Sequence, residues 1–311
     1  MQLQLDRYIP PDFKRDFIGH VVFNRLKAEN PRLQAEPILA IAGPAGSGKT
    51  SNSYALAEAM GCKVYPVQGK DLVAQLEGQG AALLIQALQD AANDTESFMP
   101  VVLVDDADLG GLGSSPNVTG TVNGEAVKGC VMAWADNPNI VTVDNGDGPP
   151  RSIHLRRAPC MVMTSNRLDH LHQPMLREGR ASVVTLDPRG EDLRQVLAGI
   201  YPKLGLRKAG HLMRKFPDQS IAFFVGLKAA VAKRTAVQQV EAYKGSLQQA
   251  DLKLFSDYLL RVAEGASYQS LIDEGMRITS QSRDANFVKA AASVTDPSLE
   301  IDGSDARAAA A

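Results

Sequence analysis

Two groups of residues are of types and at spacings that could do chemistry. The first is Gly43, Pro44, Ala45, Gly46, Ser47, Gly48, Lys49 and Thr50, followed by Ser51. It fits G-x-x-x-x-G-K-[ST] at every fixed position. The glycines let successive backbone N–H groups turn inward around phosphate oxygens, and a helix starting at the lysine adds the partial positive charge of its N-terminus. In such a loop Lys49 reaches the β- and γ-phosphates and the Thr50 hydroxyl ligates Mg²⁺. An ordinary glycine-rich turn needs neither residue. The run implies a nucleotide site, with ATP and Mg²⁺ as its expected occupants.

The second group is Asp105, Asp106 and Asp108, three carboxylates directly behind the apolar run "PVVLV". Like charges this close repel, so the crowding calls for a cation. A Mg²⁺–nucleotide complex needs a carboxylate at the end of a strand beside the phosphate loop, and Asp105 is expected to serve the metal there. Asp106 stands where many NTPases place a Glu that orients the attacking water; an Asp is one methylene shorter. For Asp108 a structural role, a cap and a contact to a neighbouring subunit all remain open. Asn166 ends the apolar "VMTS" run, either to hold the lytic water with its amide or simply to form a turn. Arg177 and Arg180, in "LREGR", are either a solvated surface or arginine fingers that stabilise transition-state charge in a neighbouring subunit's site.

These groups need a sheet to bring them together. "PILAIAG", "CKVYPVQ", "PVVLVDD" and "APCMVMTSN" read as four short strands. "KTSNSYALAEAMG" and "GAALLIQALQDAAN" read as helices between them, the first ending at Gly61. Strands alternating with helices predict a parallel sheet in a three-layer α/β domain. Before it, a Pro-marked turn leads into an amphipathic helix with Phe13, Phe17, Val21, Val22 and Leu26 on one face. Beyond about Asp187 the helical spacing of "EDLRQVLAGIYPKLG", "SIAFFVGLKAAVAKRTAVQQVEAY" and "LKLFSDYLLRVAEG" predicts a smaller all-helical domain. The expected division is 1–35, a linker and helix; 36–187, the α/β nucleotide-binding part; 188–292, the helical part; and 293–311, a disordered tail.

The bulk numbers narrow the function classes. With 311 residues, 44% hydrophobic and 22% charged, the chain can bury a sizeable core, and a net charge of -2 offers no general surface for nucleic acid. Cys62, Cys130 and Cys160 lie far apart, suggesting neither a zinc site nor a disulfide framework. No apolar run reaches the roughly 18 residues of a membrane span, and "MQLQLDRYIPPDF" is not a signal peptide. A reduced, cytoplasmic setting without membrane contact is expected. His170 and His172, two apart and without acidic or cysteine companions, read as surface residues. Trp134, in a helical run with Val131 and Met132, reads as core. Arg151, Arg156 and Arg157 form a small basic cluster, open to a solvated face or to an interface.

A phosphate loop, an acidic strand end, a strand-end Asn, an Arg pair and a following helical domain together resemble an AAA+ ATPase. The segment "NGEAVKGCVMAWADNPNIVTVDN", with "YIPPDF", "LREGR" and "FPDQSIAFFVGLKAAV" in the same order, is similar to matching segments of Rubisco activases. The likeness runs from about residue 8 to 245. It implies a ring-forming ATPase, hexameric when active, that remodels Rubisco and releases sugar phosphates locked in its closed active sites. On that resemblance ATP and Mg²⁺ sit at Lys49, Thr50, Asp105 and Asp106. Asn166 acts as sensor, and Arg177 and Arg180 serve the adjacent subunit. The loops at 68–80 and 110–124 would face the ring's pore; neither carries the aromatic residue with which many AAA+ unfoldases grip a chain. The acidic strand ends Asp-Asp-Ala-Asp where the family commonly has Asn-Asp-x-Asp, and Arg234 lies near, but not at, the family's second-sensor position. A different protein client is the alternative to Rubisco. A clamp or helicase loader fits the acidic balance poorly, and a slow nucleotide switch requires Asp106 to be too short.

Overall fold

The apolar runs become the strands of one parallel sheet. In a computed structural model, residues 5–73, 78–109, 111–113, 122–143, 150–242 and 252–294 are described. The sheet has the order β2-β3-β6-β1-β7, from β1 (Ile38–Ala42), β2 (Lys63–Gln68), β3 (Pro100–Asp105), β6 (Cys160–Ser165) and β7 (Ala181–Thr185), and every pairing in it is parallel. A separate antiparallel ribbon joins β4 (Ile140–Val143) to β5 (Arg151–His154).

Alternation along each strand sends successive side chains to opposite faces, so a strand covered on both sides reads as a continuous apolar run. Val102, Val104, Met161 and Met163 enter one core, with Leu84 and Leu88 of α3 (Gln79–Ala92) and Val127, Val131 and Trp134 of α4 (Val122–Asp136). Val101, Leu103 and Val162 enter the other, with Phe13, Phe17 and Val21 of α1 (Pro11–Glu29) and Leu56 of α2 (Lys49–Ala59). This is the three-layer α/β arrangement that the strand–helix alternation predicts.

Three details differ from the sequence reading. The sheet has a fifth strand, β7, and the β4–β5 ribbon is additional. The buried stripe of α1 is Phe13, Phe17, His20, Val21 and Asn24, while Leu26 is 46% exposed. Leu26 stands five residues past Val21, about 140° round a helix of 3.6 residues per turn, which turns it away from the sheet.

The chain forms two compact units, residues 1–202 with 218–223, and 203–217 with 224–311. Helix α5 (Gly190–Ile200) falls in the first, where Tyr8 donates to Asp192 at 2.5 Å. The second contains α6 (Gly205–Lys215), most of α7 (Ile221–Ala242), α8 (Leu252–Glu264) and α9 (Tyr268–Val294), and no strand among its described residues. In it the ring of Phe216 fills the space beside Gly275, where a Cβ would come within 2.4 Å of Cζ. Next to it the buried Glu274 carboxylate accepts from Arg277 Nε at 3.0 Å and lies 3.7 Å from Arg234. The tail expected to be disordered lies, beyond residue 294, outside the described residues, as do 74–77, 110 and 114–121 of the two loops expected to face a pore.

Candidate nucleotide site

In an open parallel sheet, ligands collect at the carboxyl ends of the strands. Here β3, β6 and β1 are neighbours, and their carboxyl ends are where Asp105, Asn166 and the phosphate loop lie. The register pairs Ala42 with Ser165 and Val104 with Met163, so the three ends are level. Residues 117 apart in sequence are thereby brought into contact.

The loop between β1 and α2 is held from outside by other segments. A Cβ on Gly43 would come within 2.1 Å of the Leu186 carbonyl oxygen, so only glycine fits. Gly46 sits at φ +75°, with its carbonyl accepting from Ala222 N at 3.2 Å. Gly48, at φ +90°, caps the start of α2. Pro44, Ala45 and Ser51 are exposed, whereas the Ser47 hydroxyl is buried without a hydrogen-bond partner among the described residues.

The Lys49 ammonium uses all three of its donors on uncharged oxygens: Gly43 O at 2.8 Å, Pro44 O at 3.2 Å and Asn166 Oδ1 at 2.9 Å. Burial lowers its pKa, and Asp106, Asp108 and Asp105 pull it back up. Asp105 Oδ1 accepts from two hydroxyls, Thr50 Oγ1 at 2.5 Å and Thr164 Oγ1 at 2.6 Å. Thr164 in turn accepts from Asp106 N at 3.0 Å, which fixes the main chain at the point where it turns. Asp106 has φ +51°, a left-handed conformation that costs a non-glycine residue about 1–2 kcal/mol. Burial, then Asp105 and Asp108, raise the Asp106 carboxyl above the ordinary carboxylate value, with Lys49 opposing. Its carboxylate makes no hydrogen bond among the described residues. Asp108 Oδ2 accepts from Asn166 N at 3.1 Å, while its other oxygen is buried without a hydrogen-bond partner.

Of the sequence candidates, Lys49, Thr50, Asp105 and Asn166 are in mutual contact through these bonds, and Asp106 and Asp108 adjoin them. The Arg pair lies between β6 and β7. Arg180 is bound within its own chain, to both carboxylate oxygens of Asp136 at 2.6 and 2.7 Å and to Pro174 O at 2.9 Å. Arg177 is exposed. Thr164 was not among the candidates. The one available signal was a hydroxyl residue near the end of a largely apolar, buried strand, two places before Asn166.

The donors suit a hard cation: a hydroxyl and a carboxylate are the oxygen ligands that Mg²⁺ takes. Among the described residues no three His, Cys, Asp or Glu side chains group to hold an ion by themselves. A metal that arrives with a nucleotide needs no such cage, because phosphates and waters complete its shell. No helix among the described residues is long and apolar enough to cross a membrane.

Residues 39–188 match the family model described as ATPase family associated with various cellular activities (AAA). The chain is 30% identical over 228 residues to a ribulose bisphosphate carboxylase/oxygenase activase of Anabaena, covering 72% of this chain and 54% of that one. It is 29% identical over 227 residues to the chloroplastic activase 1 of Nicotiana tabacum, covering 72% and 50%. The chain thus spans about half the length of these curated relatives.

Proposed function

We propose that this chain, which carries a AAA ATPase domain over residues 39–188, is a Mg²⁺-dependent ring ATPase that remodels a protein client, with Rubisco as that client. The observation that carries the ATPase part is the bonded path from Lys49 through Asn166 and Asp108 to the acidic strand end. It joins the groups needed at the γ-phosphate to those needed around the attacking water. The client is argued from similarity: activases match nearly three-quarters of the chain.

On this reading the loop's N–H groups take the β- and γ-phosphates, and the Lys49 ammonium exchanges its neutral oxygens for phosphate oxygens. Mg²⁺, held through Thr50 and Asp105, would neutralise charge developing on the phosphates. Asp106 in its ionised form accepts a hydrogen bond from the attacking water, and Asn166 positions that water. The water oxygen bonds to the γ-phosphorus as the bond to the bridging oxygen breaks, leaving ADP and phosphate. Arg177, exposed, reaches the site of the next subunit in a hexameric ring, while Arg180, clamped to Asp136, fixes the turn that carries it. The setting is a reduced, cytoplasmic one.

The test pairs ATP turnover with recovery of carboxylation by Rubisco pre-inhibited with its sugar bisphosphate, across several Rubisco forms. ATP-dependent recovery with any of them supports the client. Turnover without recovery in the whole panel moves the reading to another protein client. Asp106→Asn and Arg177→Ala should each abolish turnover, and the arginine variant should still bind ATP. Full turnover by assembled Arg177→Ala protein rules out the role in trans.

A further inference from the structure

The nucleotide site takes up one end of the sheet. At the other, where β3 and β6 begin, a cleft of about 460 Å³ opens between the last turns of α1 and the segments that lead into β3, β4 and β6. Six-residue strands at ~3.3 Å per residue put it about 20 Å from the phosphate loop. Its charged lining is four cations, Arg25, Lys27, Arg156 and Arg157, against the single carboxylate of Glu29. In a chain whose net charge is -2, this concentration of positive charge is local.

The available partners do not neutralise it. Glu29 is taken by Arg25. Lys27 donates to a main-chain oxygen, Ala35 O, at 3.0 Å, and sits in the last turn of α1, where it offsets the helix's own partial negative charge. Arg157 donates to the main-chain oxygens of Ser97, at 3.0 Å, and of Phe98. Two of its five N–H donors are so used, and the other three are held in a fixed fork. Arg156 is exposed, with no partner among the described residues. Burial, and then the facing charge of Arg25, lower the Arg157 pKa, and the Asp94 carboxylate offsets this only in part.

We propose that this cleft binds a small phosphate-type anion carrying at least two negative charges, at a site separate from the phosphate loop. Two features favour a small molecule over an acidic protein segment. The volume is that of a small-ligand cavity, and an arginine fork anchored on main-chain carbonyls is preorganised for the paired oxygens of a phosphate. Pro31, Pro138 and Pro159 line the cleft and restrict its main chain, so the ordering left to occur on binding falls on side chains such as Arg156.

The experiment is a calorimetric titration with pyrophosphate at low salt. Lys49→Ala removes competition from the phosphate loop. The Lys49→Ala chain should show saturable binding, weakened at least about ten-fold when Arg156→Ala is added and unchanged when Arg151→Ala, outside the cleft, is added instead. Should Lys49→Ala not fold, the wild-type chain should show one more pyrophosphate site than Arg156→Ala alone, which removes only an exposed side chain. The proposal is overturned by a lack of saturable binding or by indifference to Arg156→Ala. An Arg156-dependent site that takes an acidic peptide but not pyrophosphate overturns it as well.

Discussion

The Lys49 ammonium donates to the side-chain oxygen of Asn166 across 2.9 Å, so the phosphate loop after β1 and the turn after β6 share a hydrogen bond. The main-chain N–H of Asn166 is meanwhile held by Asp108. Asn166 therefore links the loop that would hold the γ-phosphate to the acidic turn that would hold the water.

Asn166→Ala should leave ATP affinity nearly unchanged, since the phosphate oxygens that Lys49 takes on binding replace the amide acceptor it loses. It should lower kcat by about 10²-fold, the usual cost of one group aimed at a transition state. Nucleotide binding and steady-state turnover measured on the same preparation check this. An equal loss in both would make the residue merely structural.

Thr164 bridges Asp105 and Asp106 through a single hydroxyl. Thr164→Val keeps the shape but strands the Asp106 N–H, which should cost ~1–3 kcal/mol of stability and slow turnover by misplacing the Asp106 carboxylate. Thr164→Ser restores the hydroxyl and should recover most of both. Urea unfolding with kcat on the two variants is decisive; wild-type turnover by the valine variant defeats the assignment.

What was legible in the sequence follows from how local its causes are. The phosphate loop is fixed by eight consecutive residues, and β3 by a run of β-branched residues ending in acid. Both were readable. β7, "ASVVT", is no longer than β1 but mixes polar with apolar positions and is only partly buried, and it becomes a strand because β1 pairs with it along its whole length. The four-residue strands of the ribbon escape for the same reason. Asp136 and Arg180 pair across 44 residues, and nothing in either neighbourhood announces the other. Thr164 was hidden because a threonine in a buried strand fits the core equally well. Its meaning comes only from the register that sets it beside Asp105.

His20 makes a pH prediction about stability. It lies on the buried face of α1, and burial pushes its pKa down to about 4 against a main-chain hydrogen bond to Met161 that opposes the shift. The unfolded chain takes up this proton near the ordinary value of 6.5, while the folded one does not until about pH 4. Between those values the unfolded state binds more protons, so stability falls as the pH drops. From pH 6.5 to 5 the loss from this residue is about 2 kcal/mol. Unfolding free energies at several pH values, with and without His20→Phe, should show that slope flattened in the variant. Equal slopes would mean that His20 is not the titrating group.

Asp106 should impose its own pH limit on turnover. On the proposed mechanism the reaction needs its carboxylate ionised, and burial together with Asp105 and Asp108 raises its pKa, so the acid limb of kcat/KM should lie above the ordinary aspartate value of about 3.9. Asp108→Asn removes one of the two neighbouring charges, while its amide oxygen can still accept from Asn166 N, so the geometry of the turn survives. The acid limb should therefore move to lower pH in this variant, with kcat on the plateau changed by less than about ten-fold. A pH–rate profile of wild type and variant, each under saturating Mg²⁺, gives the comparison. A limb that stays put, or moves up, would show that the group controlling turnover does not feel Asp108, and the water-positioning role would pass from Asp106 to another residue.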